Sequence, residues 1–167
     1  METKEPDLFS TFVNKNYNTI KTVERYSIAI FLLGLIAYML KMPYARSILI
    51  VGSALATITF LMQTKKVFIF EDIESLNILG SRRFINFIYK IYYFAIAISV
   101  FAMLGFVFEL KNKFMFLMNG ALFLLIILIL VFFSKIKNKN LVYDFDFYIK
   151  LLVCLGILMY LAIFNLS

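Results

Sequence analysis

The stretch FMFLMNGALFLLIILILVFF, residues 114–133, is twenty residues long and carries no charged side chain. At about 1.5 Å per residue, a helix of this length measures roughly 30 Å, which matches the hydrocarbon thickness of a bilayer. Arg25 and Lys41 bound a shorter apolar run and can reach the headgroups from its ends. Further uncharged runs lie at 26–40, 47–64, 91–108 and 151–167. The pattern predicts a protein that crosses a membrane several times.

We predict an all-α, polytopic integral membrane protein with five transmembrane helices and amphipathic cytoplasmic helices. The predicted parts are an amphipathic N-terminal helix at 1–25 and a membrane domain at 26–167, with spans at about 24–41, 44–64, 84–110, 114–134 and 147–166 and an amphipathic connector at 65–83. In both amphipathic segments, apolar residues recur at three- and four-residue steps, which places them on one face of a helix. Such helices suit the headgroup layer or the surface of a partner.

The composition agrees with this class and excludes several chemistries. Hydrophobic residues make up 63% of the chain and charged residues 16%, and the mean hydropathy is +0.90, all far from the values of soluble domains. The chain has no His and a single Cys, Cys154. It therefore lacks the residues for a His/Cys zinc site, a disulfide framework or a His-based triad. We expect no catalytic residues, no cofactor and no metal ligands.

The distribution of cations predicts the orientation in the membrane. Thirteen of the 17 Lys and Arg residues fall in the N-terminal segment and in two connectors, at 65–90 and 135–150. The positive-inside rule then places the N-terminus in the cytoplasm and the C-terminus outside, in the inner or plasma membrane of the cell. Lys and Arg beside spans attract anionic headgroups, so we expect the lipid bilayer, and no nucleic acid, as their partner.

Small residues on two spans predict surfaces for helix packing, because association in lipid relies on close approach of backbones. We expect the two surfaces to pack on each other, within one chain or between subunits. They consist of Gly52, Ser53, Ala56 and Thr57 on the second span and of Ala95, Ser99 and Ala102 on the third.

Polar residues near the spans are the remaining candidates for function. A proton or ion pathway normally needs ionisable residues deep in the bilayer, and we predict none there. Glu109 is expected to pair with Lys113 one helical turn later, and Lys150 to reach the headgroups. Asn119 is expected to hydrogen-bond across helices. The candidate polar or charged functional positions are Glu109, Asn119, Lys150, Asp144 and Asp146.

The first predicted hairpin runs through Lys41-Met42-Pro43-Tyr44-Ala45 into Ile50-Val51-Gly52. Over about 35 residues it resembles the transmembrane hairpin of the gliding-motility motor protein GldL and of related multi-span bacterial membrane proteins. The resemblance implies a hairpin that packs in an assembly of identical or related membrane subunits. In that family a membrane-embedded Glu implicated in proton flow lies four residues after the Gly, where this chain has Ala56. The resemblance therefore does not extend to a motor function.

Three classes of function remain open from the sequence. Packing surfaces without reactive residues favour a non-enzymatic integral membrane subunit that scaffolds or anchors a larger membrane complex. Its partners would be other membrane subunits or copies of itself. The alternative is an oligomeric channel, transporter or membrane-perturbing effector, with a pore lined by Ser53, Thr57, Thr59, Ser99 or Asn119. The third class is a lipid-modifying enzyme that uses the carboxylates of Asp144 or Asp146.

Overall fold

A computed structural model of the chain describes residues 8–66, 82–137 and 143–164, in which all regular secondary structure is helical. The all-α prediction is confirmed for these residues. Most of the predicted amphipathic connector at 65–83 lies outside them. The helices in chain order are α1 (Leu8–Lys15), α2 (Tyr17–Met39), α3 (Ala45–Gln63), α4 (Arg82–Val107), α5 (Lys113–Lys137) and α6 (Phe145–Phe164).

Four helices are long and apolar enough to cross a membrane, so the chain is a membrane protein of the predicted class. The spanning segments are Ala45–Gln63, Arg83–Val107, Lys113–Ile136 and Phe145–Ile163. They correspond to the predicted spans at 44–64, 84–110, 114–134 and 147–166. The predicted first span, 24–41, overlaps α2 except for its last two residues, and α2 is not one of these four.

Helices α2 and α3 form a closely packed antiparallel hairpin. A methyl group added at Gly52 would lie 2.6 Å from the backbone nitrogen of Phe31, and one added at Gly34 would lie 2.9 Å from that of Leu49. Only glycine permits so close an approach of two helix backbones. Residues 41–44 make the turn between the two helices. The first and last of them, Lys41 and Tyr44, have positive φ angles of 54° and 65°.

Helix α4 lies at the centre of the bundle. In an apolar 18-residue stretch of α4, 61% of the residues are buried. In the corresponding stretch of α6, only 22% are buried. Its Val107 carbonyl accepts a hydrogen bond from Tyr38 of α2 at 3.4 Å. On the other side, a methyl group at Gly120 of α5 would lie 3.4 Å from Cα of Ser99. Fully buried side chains around α4 include Ile88, Ile96, Met103, Leu117, Leu124 and Leu158.

Helices α2, α4 and α6 run in one direction and α3 and α5 in the other. The beginnings of the first three therefore lie at the same end of the bundle as the ends of the other two. We call this the polar end, because it contains Glu24, Gln63, Tyr93, Tyr143 and Lys150 in contact with one another or with neighbouring residues. The far end contains the turn between α2 and α3 and the turn between α4 and α5.

The N-terminal helical segment is divided at Asn16. This residue has φ −104° and ψ 17°, and its side-chain amide donates to the Phe12 carbonyl at 3.0 Å. Val13 of α1 is buried, while Leu8 and Phe9 are exposed. After this break α2 continues without interruption to Met39. The predicted division of the chain near residue 25 stays a prediction.

Candidate functional site

A charged cluster at the polar end joins three helices. The carboxylate of Glu24 on α2 is completely buried and forms an ion pair with Lys150 on α6. The side-chain amide of Gln63, the last residue of α3, donates to the other carboxylate oxygen at 2.5 Å. Because burying a lone carboxylate costs several kcal/mol, these two contacts offset the cost of burying Glu24.

The cluster extends toward the surface through Asp146. The Lys150 ammonium donates to Asp146 at 2.6 Å, one helical turn earlier on α6, and only 12% of the Lys150 side chain is exposed. Lys21 of α2 lies 3.9 Å from the same carboxylate oxygen. Two acids and two bases thus balance in charge, and Lys150 bridges the buried acid and the partly exposed one. We define the charged cluster as Lys21, Glu24, Gln63, Asp146 and Lys150.

One acceptor in this cluster has no partner among the described residues. The side-chain carbonyl oxygen of Gln63 is buried and accepts no hydrogen bond there. An unsatisfied buried carbonyl costs about 1–3 kcal/mol. Gln63 is therefore the least satisfied residue of the charged cluster, even though its amide nitrogen is well placed on Glu24.

A tyrosine layer packs beside the charged cluster and consists of Tyr89, Tyr92, Tyr93 and Tyr143. The Tyr92 ring stacks on Phe147 with a centroid distance of 4.0 Å, and its hydroxyl donates to the Phe147 carbonyl at 3.2 Å. Phe147 also contacts the ring of Tyr143 at 5.1 Å. The layer fastens the beginning of α6 to α4, since Tyr89, Tyr92 and Tyr93 are all on α4.

The outer edges of the tyrosine layer are also hydrogen-bonded. The Tyr143 hydroxyl lies 2.7 Å from the Ser134 hydroxyl at the end of α5. Burial raises the pKa of Tyr143 to about 12, an effect that the hydrogen bond with Ser134 partly opposes. Tyr143 is consequently a neutral hydroxyl at physiological pH, and it is hydrogen-bonded to Ser134.

Lys66 lies where the chain leaves α3, with its ammonium 2.8 Å from the centroid of the Tyr17 ring. Burial lowers the pKa of Lys66 to about 8, and the positive charge of Lys21 contributes to the decrease. The face of the Tyr17 ring favours the cation and acts in the opposite direction. Burial also raises the pKa of the Tyr17 hydroxyl, which hydrogen-bonds to Tyr93.

The predicted small-residue surfaces occupy several contacts inside the bundle. Gly52 lies against α2 at Phe31, and Ser99 lies against α5 at Gly120. Ser53 and Ala56 are buried, Thr57 is half-buried, and Ala95, Ser99 and Ala102 are buried. The expectation that the two surfaces pack directly on each other stays a prediction.

Two of the predicted polar positions have surroundings different from those expected. Glu109 follows the end of α4 with a φ angle of 54°, so it and Lys113 do not lie on one continuous helix. Among the described ion pairs none involves Glu109, and the Lys113 ammonium lies 5.4 Å from the Phe106 ring. The Lys150 ammonium contacts Glu24 and Asp146.

The other predicted polar positions are more exposed. Asn119 is exposed on α5, and its side chain makes no hydrogen bond with any residue that the structure describes. Asp144 is exposed, and its carbonyl accepts from the Phe147 amide at 2.9 Å where α6 begins. The structure brings Asp146 and Lys150 together, whereas Asp144, Glu109 and Asn119 take part in none of the described ion pairs.

Glu24 and Gln63 were missed by sequence reasoning. Both lie at the limits of predicted spans, where a polar side chain is assumed to reach water or headgroups. A usable signal exists in retrospect: Glu24 and Gln63 lie at the ends of their predicted spans, Lys150 lies about one turn inside its own, and all three ends are assigned to the same membrane surface. Their mutual contact depends on which helices are neighbours, which the hydropathy pattern does not contain.

The chemistry of this site is pairing and hydrogen bonding. Within residues 8–66, 82–137 and 143–164, no three acidic or Cys side chains come close enough to hold a metal ion. The hydroxyls of Ser53, Thr59 and Ser99 donate to carbonyls of their own helices at 2.8–3.0 Å. No protein-family model matches the chain, and neither a curated protein nor a solved structure matches it. The resemblance of the first hairpin to GldL stays a prediction.

Proposed function

We propose that this chain is a non-enzymatic integral membrane subunit that anchors or scaffolds a larger membrane complex. The observation that carries the proposal is the outward face of α6. This helix has the smallest buried fraction of the four spanning helices, and a methyl group added at Gly156 would meet no atom within 4 Å. An open glycine in the middle of a span allows the backbone of a partner helix to approach closely.

The exposed face around Gly156 is continuous along α6. Residues three, four and seven positions away lie on the same side of a helix, and all of them are exposed here. Glycine inside a helix is unfavourable by roughly 0.5–1 kcal/mol relative to alanine, so its position on an open face has a cost that a helix–helix contact would offset. The face consists of Ile149, Leu152, Val153, Gly156, Met159, Tyr160 and Ile163.

The polar residues of the bundle favour a scaffold over a channel. The charged side chains of Glu24 and Lys150 neutralise each other inside one chain. Three of the proposed pore-lining hydroxyls, those of Ser53, Thr59 and Ser99, are buried and bonded within their own helices. A pore needs such groups to face water, so their position in the protomer supports the scaffold.

We further propose that α2 is the fifth span. It lies antiparallel to α3 along most of that helix, from Gly34 against Leu49 to Glu24 against Gln63. A segment packed along most of a spanning helix reaches a similar depth in the bilayer. With five alternating helices, the cation distribution then places the polar end and the N-terminus in the cytoplasm and the C-terminus outside.

Helix α1 is proposed to lie in the cytoplasmic headgroup layer. Its exposed residues include Leu8, Phe9 and Phe12, and Val13 packs inward. Apolar side chains on one exposed helix beside the end of a bundle bury their surface in the headgroup and acyl-chain boundary. This position would anchor the polar end of the protein to the membrane surface.

The scaffold proposal is tested with Gly156→Leu in the full-length chain, extracted from its own membrane in mild detergent. The larger side chain fits the isolated protein, because the space beside Gly156 is open, but it blocks close approach of a second helix. We expect the variant to be produced at the normal level and to lose its co-purifying membrane partners or its oligomeric state. The mass of the native complex gives its stoichiometry. The stoichiometry shows whether the wild-type chain binds other membrane subunits or copies of itself.

The matched control is Ala54→Leu, which adds similar bulk at an exposed position on α3. It should leave the complex intact. A wild-type chain that purifies as a monomer with nothing bound would contradict the proposal, as would equal loss of partners in both variants. Ion flux through liposomes that contain the purified oligomer would instead favour the channel.

A further inference from the structure

An apolar groove runs between α5 and α6 on the outer surface of the bundle. Its volume is about 560 Å³, within the range of protein sites for small molecules. Side chains of α5 from Leu128 to Phe133 form one wall, and Phe147, Tyr148 and Leu151 of α6 form the other. This surface belongs to two spanning helices, so hydrocarbon is the solvent that it faces.

The groove opens toward the polar end at Lys135. The Lys135 ammonium lies 5.7 Å from the centroid of the Tyr148 ring, at the edge of the apolar walls. From Leu128 to Lys135 the helix advances by about 10 Å, roughly a third of the hydrocarbon thickness. The groove thus begins at the level of the headgroups and extends into the acyl-chain region.

Lys135 has no carboxylate partner among the described residues. The acid nearest to the groove on α6, Asp146, is bound to Lys150 and lies 3.9 Å from Lys21. Lys135 remains exposed. A cation at the mouth of an apolar groove between spanning helices complements a molecule with an anionic head and a hydrocarbon tail.

We propose that this groove is a binding site for an anionic phospholipid. One acyl chain lies between α5 and α6, and the phosphate contacts the Lys135 ammonium beside the Tyr148 ring. Lipids without a net negative charge fit the walls equally well but gain less at Lys135. The site is independent of the scaffold role, because it is formed entirely within one chain.

The test is retention of defined lipids by the purified full-length protein, measured by native mass spectrometry. Detergent-solubilised protein is mixed with phosphatidylglycerol or with phosphatidylcholine of the same acyl chains. We expect tighter retention of phosphatidylglycerol. Lys135→Gln should weaken its binding by about fivefold, the effect of one cation near a headgroup, and should remove the preference over phosphatidylcholine.

Two controls match the change of charge and the change of shape. Lys113→Gln removes a cation that also lies near an aromatic ring, at the other end of α5, and should leave lipid retention unchanged. Ile129→Trp fills the groove and should reduce retention of both lipids, whereas Ile126→Trp adds the same ring to another exposed isoleucine of α5 and should not.

Equal retention of the two lipids by the wild-type protein would overturn the proposal. So would equal effects of Lys135→Gln and Lys113→Gln, or unchanged retention in Ile129→Trp. The Ile129→Trp variant keeps the test decisive if a lysine variant fails to purify, because it alters the groove without altering charge.

Discussion

Glu24 and Lys150 are unequal partners in the charged cluster. Among the residues that the structure describes, Lys150 has a second acid, Asp146, whereas Glu24 has only the Gln63 amide besides Lys150. Removing the lysine therefore leaves a buried carboxylate without a cation. Removing the carboxylate leaves a lysine that is still paired.

The first prediction is that Lys150→Met lowers the free energy of unfolding by about 3–5 kcal/mol, and that Glu24→Gln lowers it by clearly less. The double variant Glu24→Gln/Lys150→Met should recover most of the loss, because no buried charge remains. Helix content during titration with a denaturing detergent measures all three. Glu109→Gln, at an exposed position, is the control.

Losses that simply add in the double variant would show that the pair is not coupled. Equal losses in the two single variants would contradict the unequal partnership described above. Either result would indicate that the residues of the charged cluster contact solvent or headgroups independently of one another.

At this scale the sequence could predict residue types but not partners. The sequence predicts Gly52 as a residue suited to close packing, and the structure shows that the residue it meets is Phe31 of α2. Glu109 and Lys113 have the spacing of a helical pair, but the chain leaves the helix before Glu109. Positive φ at a non-glycine residue is set by the turn as a whole, which no local pattern announces.

Helices α3 and α6 differ in how much space they leave beside a glycine in the middle of the helix. Substitution of the two glycines measures this difference. Gly52 of α3 lies against the backbone of α2, whereas Gly156 of α6 has open space beside it. Both are in the middle of spanning helices. The same substitution should therefore have opposite effects at the two positions.

The second prediction is that Gly52→Ala destabilises the isolated chain by about 1–3 kcal/mol, since α2 and α3 must separate. Gly156→Ala should stabilise it by about 0.5–1 kcal/mol, because alanine is the better helix former. Thermal unfolding of purified monomer, followed by circular dichroism, gives both values. A stabilising effect at Gly52 would contradict the close contact between α2 and α3.

The spans were predictable because hydropathy over about twenty residues is a property of the sequence itself. Helix α2 was harder, because its first half contains Lys21, Glu24 and Arg25. In the structure Glu24 is turned into the bundle and Arg25 is exposed, so the helix continues through a charged stretch that looks like a boundary. Tertiary pairing, not local propensity, determines where this helix begins to be buried.

The bundle as a whole has five alternating helices, and the third prediction concerns its orientation. Tags at the two termini of the full-length protein should be accessible from opposite sides of the membrane, with the N-terminal tag in the cytoplasm. Protease protection of sealed vesicles measures this, and a cysteine at exposed Ser47 should be labelled only from outside. Termini on the same side would leave α2 outside the bilayer and would remove the fifth span.

The tyrosine layer also determines how the molecule can be observed. The chain contains no Trp, so its ultraviolet emission arises from tyrosine, and four of the ten rings are packed together at one end. Loosening of that end changes the near-ultraviolet dichroism of the rings, because their fixed orientation is the source of the signal. A single Trp introduced elsewhere in the bundle would fluoresce without a background from other Trp residues. Its fluorescence and the tyrosine dichroism would therefore report on two regions of the protein separately.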